Sequence, residues 1–202
     1  HVFLKPLVMD GEKVPKAGYA IRFQKSFGNI EPKDYNASQF QIYFINSEKY
    51  PPDWLPPVKG TFKAYWGKLP ASAYEADDET YIHSSRQFLS ELSEHKRQIV
   101  GRFVDKPNTQ VPPIVRLLGA TIKGYMYATA VVLTMKPKEA LGLRLDEIVP
   151  IIEQGIESQG YFSTLFEYVS NWTNVLQHHN YAITTFIAGT KAIDEIAHWY
   201  FK

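Results

Sequence analysis

Residues 114–135 read IVRLLGATIKGYMYATAVVLTM, and the reading of this run decides the fold. It is rich in β-branched and aromatic residues and is punctuated by Gly119 and Gly124, which predicts two buried strands. From Leu117 to Met135 it reaches membrane-spanning length. Lys123, the two glycines, three threonines and two tyrosines argue against a stable span.

Upstream, apolar residues mostly alternate with polar ones. Val2 to Met9, broken by Lys5 and Pro6, reads as an edge strand that ends in a tight Asp10-Gly11 turn. Tyr19, Ile21 and Phe23 fall on one face of a second strand, with Arg22 and Gln24 opposite. Phe40 to Ile45 reads as a central strand. The four prolines of Tyr50 to Pro57 form an extended connector, and Val58 to Trp66 resumes a strand pattern.

Between these regions and beyond them, the period changes to three or four. Phe88, Leu89, Leu92, Ile99, Val100 and Phe103 form one stripe of a helix over 85–104, with Ser84 and Gln87 at capping-box spacing. Pro107 and Pro112-Pro113 read as its stop and as the opening of the β run. Asp146 caps a helix to about Gln159 with Gly160 as its stop, and a helix from Phe162 runs to His179-Asn180. Tyr181 to Ala188 fits either strand or helix, and Thr190 caps a last helix. The expected fold is therefore one α+β domain over 1–202. A mainly antiparallel sheet packs against several helices: β-rich 1–67, helix 84–104, strands 114–135, helical 146–202.

Composition is that of a globular protein, 45% hydrophobic and 21% charged, and calls for no disulfide or metal staple. With 22 Lys and Arg against 21 Asp and Glu, no global field draws in nucleic acid or an anionic membrane. The lack of cysteine excludes thiol catalysis and cysteine-ligated metal and leaves the compartment open. A chain beginning at His1 is expected to be processed or trimmed.

Glu75, Asp77, Asp78 and Glu79, followed by His83, gather carboxylates and an imidazole that suit a hard cation or assisted hydrolysis. The competing reading is an acidic run before a helix N-terminus, where the dipole favours negative charge. His178 and His179 are about 100° apart on a helix, so one at most serves a common site; at a helix C-terminus either also interacts with the dipole. His198, beside Trp199 in the last helix, reads as a packed or half-exposed histidine. A free N-terminal His1 can bind copper through amine and ring, but no further ligands are identified. Lys59, Lys63 and Lys68 interleave with Phe62, Tyr65 and Trp66, an arrangement that stacks bases, sugars or partner side chains, or else divides between core and wet faces. There is no GxSxG elbow, P-loop or GxGxxG in a strand-to-helix context. Asn36-Ala37-Ser38 and Asn171-Trp172-Thr173 fit the glycosylation pattern.

These features lead to a non-enzymatic binding or interaction protein, with Trp54, Lys63, Tyr65 and Trp66 on its binding surface and no cofactor. Its partner is a protein or a small molecule rather than nucleic acid, and oligomers stay open. The first alternative is a hydrolase or other acid-base enzyme built from His83, His179, Asp77 and Glu79, which must converge from distant parts of the chain. The second is a membrane-active protein that inserts its apolar segment 114–135 or its C-terminal helices.

Overall fold

The computed structural model describes residues 2–11, 14–27, 44–48, 55, 56, 58 and 76–202. It is mostly helical, 77% helix against 5% strand, so the expected α+β sheet packed against several helices is overturned. The chain divides into two compact units, one of His1–Pro57 with Ala64–Tyr74, the other of Val58–Lys63 with Glu75–Lys202.

In the first unit, β1 (Val2–Leu4) pairs with β4 (Phe44–Asn46) in parallel, Phe3 opposite Ile45. The hairpin β2 (Met9–Asp10) and β3 (Val14–Pro15) is antiparallel, and Gly11 at φ +77° supplies the left-handed residue of the expected Asp10-Gly11 turn. Asn46 is buried and satisfied: its Nδ2 donates to the Gly11 carbonyl at 3.1 Å and its Oδ1 accepts from Glu48 N at 3.0 Å. The strand expected at Tyr19–Phe27 is helix α1 (Ala17–Phe27). Tyr19, Phe23 and Phe27 are evenly spaced and also four apart, so they satisfy both periods, and the exposed Ile21 breaks the strand reading.

The second unit is a helical bundle around α4 (Val111–Thr134), which occupies the run predicted as two strands. Pro112 and Pro113 open this helix, because a proline in the first turn removes only donors that have no intrahelical partner. Ile114, Val115, Leu118, Ile122, Tyr125, Met126 and Val131 are all buried, each aliphatic worth about 1.5–3 kcal/mol. Its exposed positions, Pro113, Leu117, Ala120 and Lys123, carry only one charge, so no polar face marks the helix and its β-branched content mimics strands. It ends at Met135, in the left-handed region at φ 54°, whose N–H reaches the Val131 carbonyl at 2.9 Å.

Around it lie α2 (Asp78–Ser90), α3 (Leu92–Val104), α5 (Pro137–Gly142), α6 (Leu145–Gly155), α7 (Tyr161–Val169), α8 (Trp172–Gln177) and α9 (His179–Tyr200). The single helix expected over 84–104 starts earlier, at the Asp77 cap, and breaks at Glu91 into α2 and α3. Gly160, expected as a stop for α6, is instead the N-cap of α7 at φ +85°. The helix expected over 161–179 breaks at Ser170-Asn171, and α9 absorbs the ambiguous 181–188.

Helix α9 runs antiparallel to α2 and α3. Tyr200 Oη donates to the Arg86 carbonyl at 2.9 Å, Lys96 pairs with Asp194, and the Phe103 and Phe186 rings stack with centroids 3.9 Å apart. Against α4 its approach is closer still. A Cβ built on Gly189 would lie 2.7 Å from Ile122 Cδ1 and 2.9 Å from Leu118 Cδ2, so glycine is what lets the two helices meet.

Candidate functional site

The acidic run resolves into a helix start. Asp77 is the N-cap of α2, its Oδ1 accepting from Thr80 N at 2.8 Å, and Thr80, through side chain and backbone, holds the Asp77 carboxyl below its ordinary value. Asp78 pairs with Lys138 of α5 at 3.3 Å. Glu79 and His83 are one turn apart and both exposed, and no hydrogen bond joins them.

His179 lies elsewhere. It is the first residue of α9, whose 22 residues span about 32 Å, while the other end of α9 touches α2 at Arg86. His83 is one turn from Arg86 on the side away from His179, so the two histidines stand more than about 30 Å apart. The set His83, His179, Asp77 and Glu79 does not converge. His178 and His179 were expected to close a helix; His178 does close α8 as its C-cap and is also the N-cap of α9, whereas His179 opens α9, and the dipole contribution for a protonated His179 changes sign. Both line an open hollow with Gln177, Asn180 and Tyr181 that no acidic residue enters. Trp54, Lys63, Tyr65, Trp66 and His1 lie outside the described residues. Among the described residues, no group of three His, Asp or Glu side chains could hold a metal ion.

Two arrangements were not singled out from the sequence. At the break between α2 and α3, His95 Nδ1 and the Tyr125 hydroxyl share a hydrogen bond, Glu91 Oε2 lies 3.9 Å from His95 Nε2, and Phe88 stacks on Tyr125 at 4.4 Å. Burial, with the charge of Glu91 adding, raises the Tyr125 phenol above its ordinary value, so the hydroxyl stays neutral. The knot joins α2, α3 and α4 through one satisfied polar pair.

The second is a slot between α4, α6 and α7. Ile122 and Met126 of α4, Leu145 of α6 and Leu165, Phe166 and Val169 of α7 line it together with Gly119 around a space of about 10 Å³, room for about one water molecule. The only charged side chain on it is Lys123, which is exposed and makes no hydrogen bond or ion pair among the described residues. On the same side of α4, seven residues before Lys123, stands Arg116. Its Nε and Nη2 are sealed from solvent without a hydrogen-bond partner, and burial lowers the guanidinium below its ordinary value. The signal for this pair was in the sequence, as two cations seven apart in an apolar run. It is visible only once the run is read as a helix.

By length and composition alone, the helix Asn108–Thr134 could also cross a membrane, with mean hydropathy 1.2; 44% of that window is buried inside the bundle. Compared with models of known families, with curated proteins and with solved structures, the chain matches none of them.

Proposed function

We propose that this chain is a binding protein, without a reaction of its own, that takes an apolar part of its ligand between α4, α6 and α7. The observation that carries this reading is the slot itself: apolar walls from three helices with one cation at the edge, the combination of apolar lining and sparse polar groups by which ligand sites are built. With an inner volume of about 10 Å³, room for about one water molecule, it is a dimple far below the roughly 300–1,000 Å³ of sites for drug-sized molecules, so it suits the tip of an alkyl chain or of an apolar side chain rather than a fused ring system. The test is to fill it. Val169→Trp is expected to abolish uptake of the single-chain probe 1-hexanol, read by isothermal titration, while leaving the far-UV circular dichroism melt unchanged. Equal uptake by both proteins refutes the reading. The aromatic surface of Trp54, Lys63, Tyr65 and Trp66 belongs to the same proposal, and Trp54→Ala is expected to weaken binding of a partner without unfolding the chain.

A second reading, membrane insertion, is favoured by the length and hydropathy of α4. Dye release from lipid vesicles on acidification would support it. Intact vesicles across pH and lipid composition refute it, since an α4 that never leaves the bundle is only a core helix.

A further inference from the structure

We propose that the first unit docks on an anionic lipid surface through the outer face of α1. The inference rests on that unit alone and does not depend on the slot between α4, α6 and α7.

Charge singles the helix out. Between Glu12 and Glu31 the sequence holds four cations, Lys13, Lys16, Arg22 and Lys25, and no acidic residue, in a chain with 22 Lys and Arg against 21 Asp and Glu overall. Lys16, Arg22 and Lys25 are exposed and form no ion pair among the described residues. The Arg22 guanidinium lies 5.5 Å from the centre of the Tyr19 ring, which holds it along the helix surface. A face of unpaired cations complements a negatively charged partner and repels a second copy of itself.

The apolar side chains decide which negative partner. α1 turns Tyr19 and Phe23 inward, the Phe23 ring 4.9 Å from that of Phe44 on β4. On the other side Gly18, Ile21, Arg22 and Lys25, three or four apart, form one exposed stripe about 100° wide. Ile21 is 57% exposed at its centre, and Leu7 at 75% and Val14 at 58% stand free in the same unit. Each of the three lies within two residues of an exposed cation, respectively Arg22, Lys5 and Lys16. A nucleic-acid backbone offers such aliphatic tips nothing to enter. Protein interfaces gather aromatic anchors at a core depleted in charge, whereas here the aromatics face inward and aliphatics alternate with cations. Aliphatic tips among Lys and Arg match the boundary between headgroups and acyl chains, the tips below the phosphates and the cations among them.

The test is sedimentation of the full chain with vesicles of phosphatidylcholine, alone or with about one-third phosphatidylglycerol. Binding is expected only to the mixed vesicles and is expected to fall as salt shortens the reach of surface charge. Each cation near such a surface contributes about fivefold, so Arg22→Gln with Lys25→Gln should weaken binding about thirtyfold. Ile21→Gln should weaken it several-fold, and both proteins should keep the wild-type far-UV circular dichroism melt, since the three sites are exposed. Arg97→Gln with Arg102→Gln removes the same charge from the exposed face of α3 and is expected to leave binding unchanged. Equal loss in both double variants overturns the inference, because net charge rather than this face would then govern binding. So does the absence of binding to either vesicle. Binding that survives Arg22→Gln with Lys25→Gln and releases entrapped dye overturns it in favour of insertion by α4. Tighter binding of poly(U) than of mixed vesicles, unaffected by Ile21→Gln, overturns it and assigns the cations to nucleic acid.

Discussion

Gly189→Ala sets two effects of similar size against each other, and the structure says which prevails. In a helix interior, glycine to alanine is worth about 1 kcal/mol of stability through backbone entropy alone. At Gly189 the new methyl would lie 2.7 Å from Ile122 Cδ1, 2.9 Å from Leu118 Cδ2 and 3.3 Å from Leu118 Cγ, well inside the roughly 3.5–4.0 Å of ordinary carbon contact. Leu118 and Ile122 are fully buried, so neither can swing aside into solvent. Overpacking of this kind costs about 1–3 kcal/mol, which leaves a net loss of about 0–2 kcal/mol after the helix gain.

Gly101 is the built-in control. It lies on α3, is exposed, and a Cβ there meets nothing within 4 Å, so Gly101→Ala is expected to stabilise by about 1 kcal/mol. Urea unfolding followed by far-UV circular dichroism measures both variants. Their free energies are expected to differ by about 1–3 kcal/mol, with Gly189→Ala the weaker, and Ile122→Val is expected to recover part of the loss by deleting the nearest methyl. A Gly189→Ala protein stabilised as much as Gly101→Ala would refute the close approach of α4 and α9.

Three further outcomes follow from polar groups. Tyr125→Phe removes the hydroxyl bonded to His95 and is expected to cost about 1 kcal/mol at neutral pH. Because the folded state holds the phenol proton above its ordinary value, the stability from the neutral Tyr125 is complete below pH about 10 and is lost as pH rises beyond it. The urea midpoint of wild type should therefore fall more steeply than that of Tyr125→Phe above pH about 10; parallel curves there would place Tyr125 in water. Asp77 has the opposite sign: its carboxyl is held low by Thr80, so its contribution is present above its ordinary value near pH 4 and disappears as pH falls through the folded value. Asp77→Ala should lower the melting temperature at pH 7 and not at pH 2, and equal losses at both would deny the cap its charge. Glu195 of α9 accepts from Ser158 Oγ at 2.5 Å and Gln159 N at 2.9 Å, tying the α6–α7 connection, so Glu195→Ala should cost about 1–2 kcal/mol by urea unfolding, and no loss would remove that tie.

What the sequence made legible depended on how each helix meets solvent. α3 and the start of α6 are half wet, and their apolar stripes and flanking charges give a clear helical period. α4 shows solvent a face of Pro113, Leu117, Ala120 and Lys123 with a single charge, so its period is masked, and its valines, threonines and tyrosines carry the strand signature instead. The error spread from there, because Pro112-Pro113 was then a stop rather than a helix opening. α1 failed differently, through residues whose spacing satisfies both periods at once. The candidate acid-base set failed because sequence proximity of Asp77, Glu79 and His83 says nothing of His179, which α9 carries to the far end. The slot was hidden for the same reason as α4: with the run read as strands, Arg116 and Lys123 have no shared face.

The close pairing of α4 with α9 also has a consequence for synthesis. The last residue of α4 leaves the ribosome about 65 residues before the last of α9, which at roughly 5–20 residues per second is an interval of about 3–13 s. During that interval the longest helix among the described residues lacks the partner that closes over Leu118 and Ile122. Nascent chains arrested before Ala182 are accordingly expected to expose Leu118 and Ile122, and to be more sensitive to protease than the finished chain.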